Sequence, residues 1–198
     1  MNNKWNDALN NIRAKAYKTH EDVNQNYGDK PYSFHLHSVE IKTKELLEVL
    51  YKGKIEDEEY VAVLFGALFH DSIEDARLSY NDVKDIALEF LSEKYAVMAT
   101  EIVYALTNEK GRTRAERSND KYYDGIRNTP YAPLVKLADR MANMEYSNIT
   151  QSSMWKKYLS EWNHFISSIG FNDLDEIKRG EVKPLLTKWL DNKTKTED

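Results

Sequence analysis

The chain has 198 residues, 41% hydrophobic and 31% charged, with a formal net charge of −5 and no cysteine. That length suits one domain with a substantial apolar core, and the composition excludes a wholly disordered or collagen-like chain. The acidic balance gives no global field for nucleic acid or an anionic membrane, so neither is an expected partner, and the missing thiols exclude disulfides and cysteine-bound metal.

In chain order the signals are helical. A first helix is expected over residues 5–26, ending near the turn Gly28-Asp29-Lys30-Pro31, and a second over 33–51, stopping at Gly53. In a third, Tyr60, Val61, Val63, Leu64, Ala67 and Leu68 form an apolar stripe at helical spacing. The longest apolar run, residues 61–69, falls well short of the roughly 20 residues that span a bilayer. The polar residues 1–5 open no apolar signal region, and a cytoplasmic location is the expectation. Ser79, with Asp82 three positions on, resembles a capping box; the helix it opens buries Val83, Ile86, Ala87, Phe90 and Leu91. Another helix follows over 93–107 on Tyr95, Met98, Ala99, Ile102 and Leu106, and then a basic, polar stretch over 108–120. Thr129-Pro130 reads as a helix cap and first-turn proline, opening a helix that reaches Tyr146. Trp155, Tyr158, Leu159, Trp162, Phe165, Ile166 and Ile169 make one more amphipathic face, and a weaker helix is expected over 181–191. The pattern predicts an all-α, single-domain helical bundle over 1–191 with a charged, frayed tail at 192–198.

Three segments carry chemistry. The first is His70-Asp71, followed by Glu74 and Asp75. Asp71 continues the apolar stripe of the third helix, so it faces inward, where an ionised carboxylate needs a partner such as a divalent cation. Helical spacing gathers the four polar groups at one helix end, whose own partial charge is negative. A surface acidic turn with a chance histidine accounts for this segment equally well when it is taken alone. The second segment places His35 one turn before apolar Val39, toward the core, where a hydrogen-bonded core histidine is the plainer reading. His37 points elsewhere, and His20 and His164 are read as structural. In the third, Asp139 shares a partly apolar face with Val135, Ala142, Asn143 and Tyr146, between Lys136 and Arg140; a buried salt bridge is the alternative.

Together the three segments resemble the HD phosphohydrolase superfamily, and more closely the hydrolase domain of Rel/Spo-type enzymes and the small alarmone hydrolases. The family's Pro-Tyr-x-x-His-x-x-x-Val is matched by Pro31, Tyr32, His35 and Val39. Its Leu-x-His-Asp-x-x-Glu-Asp is matched by Leu68, His70, Asp71, Glu74 and Asp75. Its Lys-Leu-Ala-Asp-Arg-x-x-Asn-Met is matched by Lys136 to Arg140, Asn143 and Met144. The resemblance spans about residues 28–146. It implies an HD-type helical bundle that hydrolyses the 3′-pyrophosphate of (p)ppGpp-like nucleotides. His35, His70, Asp71 and Asp139 would bind one divalent ion, manganese. Glu74 and Asp75 would orient and deprotonate the attacking water. Asn143, Tyr27, Lys136, Arg140 and Tyr146 are the expected substrate contacts. Lys110, Arg112, Arg114, Arg117 and Lys121 could supply a basic patch for a polyphosphate, and a solvated charged loop accounts for each of them equally well. The residues ahead of the turn, Asn24-Gln25-Asn26-Tyr27, lack the basic groups that in the family pack against guanine. Tyr27 would stack on the base instead, serving guanine and adenine alike. No synthetase domain is expected. Another nucleotide mono- or triphosphate as substrate, and a catalytically silent nucleotide-binding module, are the alternatives. The intact Glu74-Asp75 pair speaks for an enzyme over a silent binder.

Overall fold

The computed structural model describes residues 1–108 and 111–170. Helix α1 (Asn3–Glu21) leads through a two-residue pair of strands, β1 (Asn26–Tyr27) and β2 (Lys30–Pro31), into α2 (Ser33–Tyr51). There follow α3 (Asp57–Phe69), α4 (Tyr80–Leu88), α5 (Glu93–Leu106), the short α6 (Arg114–Arg117), α7 (Asp120–Asn128), α8 (Ala132–Ile149) and α9 (Met154–Ser168). This is an all-α bundle.

Helix α3 is its centre. Every residue from Val61 to Phe69 is buried, and the helix packs against α1, α2, α5 and α8. A helix apolar all round has no face for solvent and must lie inside. Phe65 and Phe69, one turn apart, stack at 4.4 Å. The burial fixes the C-terminal end of α3, and with it the residues that follow. Among the described residues, no helix is long and apolar enough to cross a membrane.

Several boundaries differ from the sequence expectation. Helix α1 stops at Glu21 rather than 26, because Asn24 takes a left-handed conformation (φ 55°) and residues 26–31 pair as a hairpin. Gly28 makes that turn with φ +62°, and a Cβ there would lie 2.1 Å from the Tyr146 hydroxyl. Helix α3 ends at Phe69, so His70 to Asp75 lie in the turns beyond it, joined by Ser72 N–H to Phe69 O and Asp75 N–H to Asp71 O. The capping box at Ser79 and Asp82 is present. Helix α7 lies partly in the basic stretch, where the sequence pattern predicts none; it buries only Tyr122 and Ile126. Thr129 does not cap α8: it closes α7, while Tyr131 (φ 66°) opens α8 and Pro133 sits in the first turn. The expected helix over 181–191, the tail and Lys110 lie outside the described residues.

Candidate metal centre

Three elements far apart in sequence bring donors to one point. The first turn of α2 supplies His35, the turn that follows α3 supplies His70 and Asp71, and the middle of α8 supplies Asp139. His35 and His70 are almost wholly buried, at 2% and 1% exposure. Their Nε2 atoms stand 3.3 Å apart. Asp71 Oδ2 is 2.8 Å from His70 Nε2 and 3.7 Å from His35 Nε2. Asp139 Oδ1 lies 3.4 Å from His35 Nε2 and 3.7 Å from His70 Nε2. Among the described residues, His35, His70 and Asp71 each offer a ligand atom within 4.8 Å of the others, a group that could hold a metal ion.

The donor set fits a divalent cation. Ligands about 2.1 Å from a common ion stand roughly 3–3.5 Å from one another, close to the separations found here. His70 Nδ1 lies 2.8 Å from the Ala67 carbonyl and donates its proton there, which directs Nε2 into the cluster. His35 Nδ1 is buried without a partner. Imidazole and carboxylate together suit a borderline ion.

The charges are arranged as a set. Burial alone would lower the His70 pKa, but Asp71 and Asp139 carry it up to about 9. Burial likewise works against ionising Asp71, and the two histidines overcome it and hold that carboxyl below its usual range. Asp139 behaves the same way: against burial, Lys136 and the histidines keep it ionised. Lys136 Nζ is 3.0 Å from Asp139 Oδ2, and Asn143 Nδ2 donates to Asp139 Oδ1 at 2.5 Å. Both oxygens of Asp139 are therefore fixed, one of them facing the imidazoles.

The remaining candidates divide. Asp75 accepts from Gln25 at 3.2 Å, and its pKa is raised by burial and then by Asp71. Glu74 is also raised, first by desolvation, while both its oxygens accept from Asn108: the backbone N–H at 2.5 Å and the side-chain amide at 3.2 Å. Tyr27 stacks on His35 at 4.6 Å, leans on Tyr146 at 4.4 Å and donates to Asn143 Oδ1 at 2.7 Å. The Tyr27 ring, expected from the sequence to stack on a base, thus already covers a candidate ligand. Tyr146 donates to Asp29 at 3.2 Å and holds the hairpin to α8. Arg140, expected as a substrate contact, packs toward α9. It is 8% exposed, bonded to Glu161 at 3.2 Å and packed on the rings of Tyr158 and Phe165, so it ties α8 to α9. Lys136 faces Asp139, its nearest anionic partner. Arg112 is exposed, with its backbone N–H bonded to Glu116, and Arg117 reaches the Gly111 carbonyl. The Arg114 side chain is outside what is described.

Three contributors carry little or no signal in the sequence. Gln25 and Asn108 sit in polar segments without a pattern. His20, structural by its sequence context, is fully buried and stacks on Tyr32 at 4.5 Å, and Tyr32 donates its hydroxyl to Asp71. The proximity of the Pro31-Tyr32 pair to His35 is the available clue to Tyr32.

No family model matches the chain. Curated relatives do. The chain is 30% identical over 105 residues to guanosine-3′,5′-bis(diphosphate) 3′-pyrophosphohydrolase MESH1 of Danio rerio, a match that covers 53% of this chain and 52% of the relative. The enzyme of the same name from Homo sapiens is 26% identical over 98 residues, half of each chain. That from Drosophila melanogaster is 25% identical over 144 residues, 73% of this chain and 71% of the relative. The match to the Danio rerio and Homo sapiens proteins thus spans about half of their length.

Proposed function

We propose that this chain is an HD-type, metal-dependent phosphohydrolase that removes the 3′-pyrophosphate from (p)ppGpp-like nucleotides. The observation that carries the reading is the convergence of His35, His70, Asp71 and Asp139 from three distant elements, with the acids Glu74 and Asp75 just beyond. The names of the similar proteins supply the substrate class. A cytoplasmic location goes with that class.

The four ligands would hold one manganese ion. When bound, such an ion supplies Lewis acidity, offsets phosphate charge and makes a nearby water more acidic. The protein's own groups do the rest. His70 is aimed by the Ala67 carbonyl, and Asp139 is steadied by Lys136 and Asn143. Asp75, whose carboxyl is raised by burial, takes the proton of the attacking water, and Glu74 orients that water from the Asn108 side. The proposed nucleotide contacts are Asn143 and Tyr27, which are bonded to each other at 2.7 Å beside the imidazoles. The absence of Arg and Lys from residues 24–27 leaves guanine and adenine weakly distinguished. The same absence favours a second reading, an HD phosphohydrolase for another nucleotide mono- or triphosphate.

The experiment is a turnover screen of ppGpp, ppApp and ordinary nucleotides with manganese and with chelator. Pyrophosphate release from both ppGpp and ppApp, abolished by chelator, is expected. A guanine preference of about a thousandfold or more would overturn the loose base pocket, because preferences of that size come from hydrogen bonding to a base edge. No release from either compound by metal-bound protein would remove the alarmone reading and promote the second one.

A further inference from the structure

Tyr32 has a position that the mechanism above leaves unused. It stands at the head of α2 and is 7% exposed. Its hydroxyl donates to Asp71 Oδ2, the oxygen that lies 2.8 Å from His70 Nε2. The ring is held on several sides: His20 stacks on it at 4.5 Å with planes 15° apart, Tyr27 meets it edge-on at 6.2 Å, and His35 lies 5.4 Å away. His20 is fully buried, yet neither of its ring nitrogens has a partner. Buried polar groups are nearly always satisfied, so the unpaired imidazole calls for an explanation. Here it presents a flat face to Tyr32.

A phenol is protonated at neutral pH and is a constant donor. On Asp71 it occupies one lone pair of Oδ2 and fixes the rotation of the carboxylate, leaving the rest of that oxygen turned toward the two imidazoles. We propose that Tyr32 is a positioning residue of the metal centre: its hydroxyl, aimed by the His20 stack, holds Asp71 in its ligating orientation and so sets the affinity for a divalent cation. This rests on the metal reading of the site. Hydrogen bonds behind a ligand typically change metal affinity about 10–100-fold when removed.

The test uses the full chain and manganese alone, titrated calorimetrically into wild type, Tyr32→Phe and His20→Phe, with melting of each metal-free protein. Wild type is expected to bind. Tyr32→Phe is expected to bind at least about tenfold more weakly while melting close to wild type. His20→Phe, which keeps a flat ring and the Tyr32 donor, is expected to bind like wild type. Equal affinity in wild type and Tyr32→Phe overturns the proposal. So does an equal loss in both variants that tracks a lowered metal-free midpoint, since that reports packing alone. A wild type that binds no manganese refutes the metal reading itself, and this inference falls with it. Should Tyr32→Phe fail to fold, the wild-type NMR spectrum decides: the Tyr32 ring and hydroxyl resonances shift as zinc fills the site, and their indifference to zinc counts against the role.

Discussion

Replacing Gly28 with alanine tests how the hairpin is fastened over the centre. Gly28 has φ +62°, and its added Cβ would stand 2.1 Å from Tyr146 Oη and 3.1 Å from Cζ. The left-handed backbone alone costs a non-glycine residue roughly 1–2 kcal/mol. The contact adds to this, because Tyr146 must swing away and give up its bonds to Asp29 at 3.2 Å and Tyr27 O at 3.4 Å. It also loses its packing on Tyr27 at 4.4 Å. For partly exposed bonds of this length, about 1 kcal/mol in sum is reasonable. The expected loss is about 2–3 kcal/mol, which in a domain of this size lowers the melting midpoint by roughly 4–12 °C. Gly53→Ala is the control. Gly53 has φ +71° but nothing within 4 Å of where a Cβ would stand, so it carries the backbone cost without the collision. Thermal melts of both variants isolate the steric part as their difference, about 1 kcal/mol. Equal midpoints for the two, with the Tyr27–Tyr146 ring contact still visible by NMR, would refute the argument that Tyr146 clamps the hairpin through Gly28.

Further outcomes concern the centre. Below about pH 9 the metal-free His70 carries a second proton, on the nitrogen that faces Asp71, and a cation must displace it. Manganese binding at pH 7 should therefore release about one proton and tighten about tenfold per pH unit up to pH 9. In the metal-free protein, the raised pKa gives stability that is complete below the unfolded value of about 6.5 and is lost as pH rises through 9. Calorimetry in buffers of different ionisation enthalpy reads the proton count, and a count near zero would exclude His70 as a displaced ligand. Asp71→Ala should lose both metal and turnover, whereas Glu74→Gln should keep the metal and lose about 10²–10⁴-fold in rate. Near-full turnover in Glu74→Gln would leave Glu74 only its structural bonds to Asn108.

Much of this is legible in sequence where local pattern and packing agree. Helix α2 can be read to its ends because apolar spacing, the opening Pro31-Tyr32 and the closing Gly53 all coincide. The buried run 61–69 is legible as helix, but its end is not, since turns carry His70 to Asp75 onward without a break in composition. Helix α7 is hidden because two apolar residues one turn apart, Tyr122 and Ile126, are too few to establish a period. The candidate metal cluster is visible as three motifs, yet their meeting depends on how α2, α3 and α8 cross. Arg140 shows the limit most plainly. It is adjacent to Asp139 in sequence, but one residue along a helix is about 100° around it. That rotation carries Arg140 away from the imidazoles and onto the rings of Tyr158 and Phe165.

The charges at the centre bear on how an acidic protein could accept the anionic substrate proposed for it. In the metal-free state Asp71 and Asp139 are ionised, while His70 and Lys136 are protonated, so the inner set is neutral. Neutrality makes burial tolerable, since isolated charges at these positions would be driven to their uncharged forms. A divalent ion that displaces the His70 proton changes the balance by one unit. The two carboxylates and Lys136 remain, the imidazole becomes neutral, and the inner set acquires a single positive charge, which partly offsets the acids Glu74 and Asp75 just beyond it. That charge lies in a site of low dielectric, where it acts more strongly than a lysine on the surface. Acceptance of an anionic substrate would then be easier with the metal bound, a help that a protein of net charge −5 could not supply through its overall field. Lys136 is central to this switch. With Lys136 replaced by methionine, the loaded inner set would be neutral, and Asp139 would lose the group that holds its outer oxygen at 3.0 Å.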